Sequence, residues 1–122
     1  MSFWQKEVEN WAYEHFVLFI YLHIALADNE IIDTEWQTMR RRFDRFDSPR
    51  SFEDVFNAVM YLYRNCNDIQ VLEVIEYFRE QHGQSPAARA QLLRDVQEIA
   101  QVDQGVNAEE VSIQLQLRHL LE

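Results

Sequence analysis

The chain has 122 residues and a formal net charge of −10, from 21 Asp and Glu against 11 Lys and Arg. A field of that sign keeps a protein soluble, repels phosphate backbones and anionic membranes, and favours cations or basic proteins as partners, so nucleic acid is not expected to bind. Hydrophobic residues make up 48%, with eight Phe, five Tyr and three Trp, which argues against global disorder; two Gly and two Pro supply too few turns for an all-β fold.

The fold class this predicts is all-α, a compact bundle of about six helices forming a single domain over residues 1–122. The first helix is expected from about Phe3 to Ala27, with a break near Asn10. Val8, Trp11, Ala12, His15, Leu18, Phe19, Leu22 and Leu26 fall on one stripe at helical spacing. Its apolar run, Phe16 to Ala27 with His23 inside it, is twelve residues long. A bilayer needs about 20, so the run reads as a buried core helix.

Asp28-Asn29-Glu30 ends that helix, and a second is expected from Asp33 through Trp36, Met39 and Phe43 to Phe46. Asp47-Ser48-Pro49 stops it, because the residue before a proline avoids the helical region. Ser51 opens the third helix, with Asp54 three residues on and Val55, Phe56, Val59, Met60 and Tyr63 inward. Asn67 or Asp68 opens the fourth, with Val71, Val74, Ile75 and Phe78 inward and Gly83 as a left-handed cap. Ser85-Pro86 opens the fifth, whose core stripe is Leu92, Leu93, Val96, Ile99 and Ala100. Asp103-Gln104-Gly105 ends it, and Asn107 with Glu110 starts the sixth. The alternation of Ile113 to Leu117 imitates a strand, but Leu and Gln are good helix formers and a lone strand would lack a partner.

Two helix–Asp-turn–helix hairpins share one spacing. Ala27-Asp28-Asn29-Glu30-Ile31-Ile32-Asp33-Thr34-Glu35-Trp36 and Val102-Asp103-Gln104-Gly105-Val106-Asn107-Ala108-Glu109-Glu110-Val111 both fit Asp-x-x-(Ile/Val)-x-x-x-Glu followed by an apolar residue. Ile31 with Trp36, and Val106 with Val111, fit a hydrophobic staple. Asp28 and Asp103 stand at helix C-terminal ends, where the macrodipole disfavours negative charge, and Glu35 and Glu110 stand in the next first turn, where it is favoured. Two explanations remain open. Each Asp folds back onto N–H groups of its own turn, or Asp28, Glu35, Asp103 and Glu110 supply oxygen ligands to a hard divalent cation such as calcium. The spacing is not that of an EF-hand, since Ile32 and Met39 occupy ligand positions.

These turns resemble those of the TerB family of tellurite-resistance proteins, a module similar to the N-terminal domain of the DjlA co-chaperones. The family motif is roughly Ala-Asp-Gly-x-Ile-x-x-x-Glu, present twice. Ala27, Asp28, Ile31 and Glu35 match one copy; Asp103, Gly105, Val106 and Glu110 match the other. Asn29 stands in place of Gly, Ile32 in place of a Ser-like cap, and Val102 in place of Ala. The resemblance spans roughly Trp11 to Leu121. It implies a helical bundle with an acidic surface, metal binding, and a part in stress-response complexes at the inner face of a membrane.

No catalytic constellation stands out. His15 lies on the apolar stripe and reads as a core histidine, His23 lies eight residues on, His82 and His119 are isolated, and no His-x-x-x-His or Glu-x-x-His spacing occurs. Cys66 is the only cysteine, so no intrachain disulfide forms, and a buried role is expected for it. Arg40, Arg41, Arg42, Arg45 and Arg50 form the one basic patch and are expected to pair with Asp44, Asp47 and Glu53 or to meet an acidic protein. Of the tryptophans, Trp4 is expected to be the most exposed. Glu7, Glu9 and Glu14 ahead of the apolar run do not suit a secretory leader, so the expected location is the cytoplasm, with peripheral attachment to a membrane complex left open. The expected function is non-enzymatic, either cation binding at the acidic turns within a stress-response complex or a metal-free protein-interaction module whose acidic turns are caps. A carboxylate-based hydrolase ranks last.

Overall fold

A computed structural model of the chain describes residues 2–26, 33–82 and 85–102, with side chains as far as Arg94. Over these residues the fold is all-α. In chain order the helices are α1 (Phe3–Val8), α2 (Tyr13–Ala25), α3 (Asp33–Asp44), α4 (Phe52–Asn65), α5 (Asp68–His82) and α6 (Pro86–Val102). The sixth helix expected from Asn107, the Gly83 cap and both acidic turns lie outside the described residues, as do the side chains of Val96, Ile99 and Ala100.

α2 is the axis of the bundle. It packs against α3, α4, α5 and α6, while α1 packs on α5 and α3 on α4 and α6. A helix apolar on every side has no face to give to solvent and ends up surrounded. From Phe16 to Leu22 every residue of α2 is buried, as are Ile24 and Ala25. The expected stripe therefore undercounts this helix. The amphipathic helices around it obey their stripes more closely, and Val71, Val74, Ile75 and Phe78 are the buried residues of α5.

The first expected helix is two. Glu9 to Ala12 separates α1 from α2, with no Gly or Pro to mark the break. Ala12, the N-cap residue, is extended, and His15 at the third helical position reaches back as a capping-box glutamate would, its Nδ1 accepting from the Ala12 N–H at 3.0 Å. Trp11 stacks on His15 at 5.5 Å and meets Phe16 edge-on at 5.2 Å, which fixes the bend.

The later starts follow their capping residues. Ser51 Oγ accepts from the Asp54 N–H at 3.1 Å, and Ser85 Oγ from the Ala88 N–H at 3.1 Å. Asn67 and Gln70 exchange a reciprocal pair of bonds at 2.8 and 2.9 Å, a complete capping box. Between α3 and α4, Asp47 takes a left-handed φ of 50°, which Asp tolerates better than most residues.

Trp4 corrects an expectation. It is 4% exposed, seated against Tyr77 with ring centroids 5.8 Å apart. The two-helix start explains this, because α1 folds back onto α5 instead of running on as a free end. Among the described residues, the exposed large apolar side chains are Phe3, Tyr61 and Ile69.

Candidate functional site

The predicted ligand set begins on α3. Glu35 stands in the first turn of that helix, beside Asp33, where the aligned peptide dipoles favour negative charge. Asp33 is exposed, but Glu35 is 1% exposed, which is unusual for a carboxylate. One turn further, Thr38 is buried too; its Oγ1 donates to the Thr34 carbonyl at 2.8 Å and accepts from Arg41 at 3.3 Å. The inner face of α3 thus carries polar groups at Glu35 and Thr38 before it turns apolar at Met39 and Phe43. Asp28, Asp103 and Glu110 lie outside the described residues. The helices that lead to them are described: α2 runs toward the first turn, α6 toward the second, and α6 packs on both α2 and α3.

A second buried carboxylate was not expected. Glu14, in the first turn of α2, is 8% exposed and accepts from the Ser48 hydroxyl at 2.8 Å. Ser48 Oγ in turn accepts from the Arg50 N–H at 3.2 Å. Glu14 therefore ties the α3–α4 loop to the start of α2. The sequence gives one sign of this, a Glu in the first turn of an otherwise apolar helix.

Elsewhere among the described residues, three histidines and the cysteine are held within the packing. Burial lowers the pKa of His15 below its usual 6.5, the Arg50 charge lowers it further and Glu14 opposes, so its neutral ring serves as the cap acceptor. His23 Nδ1 lies 3.2 Å from the Tyr63 hydroxyl, and burial again lowers its pKa against a smaller upward pull from Asp68. His82 sits among Tyr13, Phe16 and Phe78. Burial, with Glu73 adding to it, pushes the Cys66 thiol up to about 11, which leaves it in its unreactive form. Among the described residues no three His, Cys, Asp or Glu side chains gather as a metal-binding group; three of the four predicted ligands are not among them.

In the basic patch, Arg40 pairs with Glu53 at 2.8 Å and lies 5.6 Å over the Phe52 ring. Both partners are about half exposed, so water screens the pair. A feature that sequence reasoning passed over is a row of exposed glutamates on α5, Glu73, Glu76 and Glu80, lining a groove of about 190 Å³ with Trp4, Gln5 and Tyr77. Their spacing of three and four residues was the signal available.

No helix among the described residues is long and apolar enough to cross a membrane. A family model described as tellurite resistance protein TerB matches residues 15–122. No curated protein and no solved structure matches the chain.

Proposed function

The chain belongs to the TerB family, and on that premise we propose that it is a non-catalytic domain holding a divalent cation at its acidic turns. Asp28, Glu35, Asp103 and Glu110 are the ligands in this reading. Carboxylate oxygens suit hard cations, and calcium is the ion of choice. The observation that carries the reading is the burial of Glu35 at the edge of the first turn. The N-terminal end of α3 favours negative charge at that place, so a carboxylate is held out of water directly beside the acidic turn. The packing of α6 against α2 and α3 supports the pooling of ligands from both turns. When bound, the ion offsets the repulsion among the four carboxylates and joins the two hairpins. The domain then acts as a cation-stabilised part of a stress-response complex in the cytoplasm, with other proteins as its partners.

The test is a thermal melt in chelator, then with calcium, magnesium, manganese and zinc in turn. A cation at about 100 times its dissociation constant adds roughly 2.7 kcal/mol. That gain should vanish in Asp28→Asn and Asp103→Asn. Equal melting with every cation, together with lower stability of both Asn variants in chelator, would make the aspartates caps and leave a metal-free interaction module as the function.

A further inference from the structure

Two shallow grooves border α1, and the family match begins at His15, so α1 stands outside it. One groove, about 220 Å³, is lined by Phe3 of α1 with Tyr61 and Asn65 of α4. Phe3 is 44% exposed and Tyr61 59% exposed, so two aromatic rings flank it in contact with water. The other, about 190 Å³, has Trp4 and Gln5 on one side and Glu73, Glu76, Tyr77 and Glu80 of α5 on the other. Trp4 is 4% exposed, and its indole N–H meets no acceptor among the described residues. A row of glutamates alone is an ordinary solvated face. Here α1 carries the aromatic Phe3 groove as well, and Trp4, which lines the glutamate groove, holds a buried donor with no acceptor among the described residues.

We propose that the α1–α4–α5 face docks a basic segment of a partner protein. An apolar side chain of that segment seats between Phe3 and Tyr61, and its lysines or arginines lie along Glu73, Glu76 and Glu80. Aromatic anchors supply affinity in such grooves, while charge complementarity sets register and speeds association. The net charge of −10 argues for a basic partner over a second copy of this chain or an anionic membrane, both of which it repels. Its residues are other than those of the acidic turns, and it needs no cation.

The experiment is a titration of isotope-labelled protein, in chelator, with an unlabelled peptide in which lysines flank one phenylalanine. The expected shifts concentrate on α1, the end of α4 and the outer face of α5, and include the Trp4 indole N–H, assigned through Trp4→Phe. Combined Glu73→Gln, Glu76→Gln and Glu80→Gln should weaken binding at least about tenfold. Replacing the peptide's phenylalanine by alanine should weaken it comparably. The proposal is overturned if Asp44→Asn with Asp47→Asn and Asp54→Asn, an equal loss of charge elsewhere, weakens binding as much. Shifts spread over all acidic surfaces would also overturn it, as would shifts on this face that grow with protein concentration in the absence of peptide. Running in chelator keeps its failure distinct from failure of the cation reading.

Discussion

The starts of α2 and α3 present the same residue type in the same place, a glutamate in the first turn with its side chain out of water, yet the two differ in surroundings. Glu14 is met by the Ser48 hydroxyl from a loop far along the chain. Glu35, the more deeply buried of the two, borders a turn rich in acid. The difference teaches that burial of a carboxylate is not by itself a functional mark. Glu14 is accounted for by the loop it holds, and the role proposed for Glu35 rests on its place beside the acidic turn, which a charge-removing substitution tests.

The comparison breaks most sharply under a change that removes charge and keeps shape. In the presence of the stabilising cation, Glu35→Gln should forfeit roughly 2.7 kcal/mol of cation-dependent stability. For a domain of this size that is a fall in melting temperature on the order of 10 °C. Glu14→Gln should keep the whole cation response. If both variants keep it, Glu35 belongs with Glu14 as a structural group.

Next in size is the loop anchor. Glu14→Ala removes the acceptor of the Ser48 hydroxyl and should cost about 1–3 kcal/mol in denaturant unfolding, equally with and without cation. A cost that appeared only with cation would tie the two helix starts together.

The cap at the start of α2 ranks below it. His15→Phe removes the acceptor for the Ala12 N–H and should cost about 1 kcal/mol, the usual worth of one hydrogen bond. Its pH signature follows from the direction of the shift. The folded pKa lies below the unfolded 6.5, so the neutral ring's contribution is present above that value and is lost as pH falls through the folded pKa. His23 and His82 are shifted the same way. Melting temperature should therefore drop between neutral pH and pH ~5, and His15→Phe should flatten that slope. A slope unchanged in the variant would assign the acid loss to groups other than His15.

The smallest effect belongs to the surface. Arg40→Ala breaks the bond to Glu53, whose carboxyl is drawn down first by its own backbone N–H and then by Arg40. Unfolding with and without added salt should show the smallest loss of the series, smaller still at high salt.

Much of the fold was legible because its signals are local. Ser51, Asn67 and Ser85 with Pro86 announce their helices through short-range bonding, and the α5 stripe from Val71 to Phe78 needs only its period. What escaped depends on distance. The bend at Glu9 to Ala12 is set by an imidazole cap and ring packing around Trp11, not by Gly or Pro, so composition could not fix it. Trp4 looked like a loose terminal residue because its partner, Tyr77, is remote in sequence. The same holds for Glu14, whose partner Ser48 arrives from another loop. Of the candidate site, the sequence showed Glu35 at a helix start, and its depth of burial came only from packing.

The enclosure of α2 sets how the molecule opens. With α3, α4, α5 and α6 leaning on it, α2 is enclosed along its length, so its amide protons should exchange with solvent only when the bundle comes apart as a whole. The six-residue α1 rests chiefly on α5 and should exchange far sooner. A deuterium label would thus write the order of disassembly along the chain, its first helix marked early and its second last.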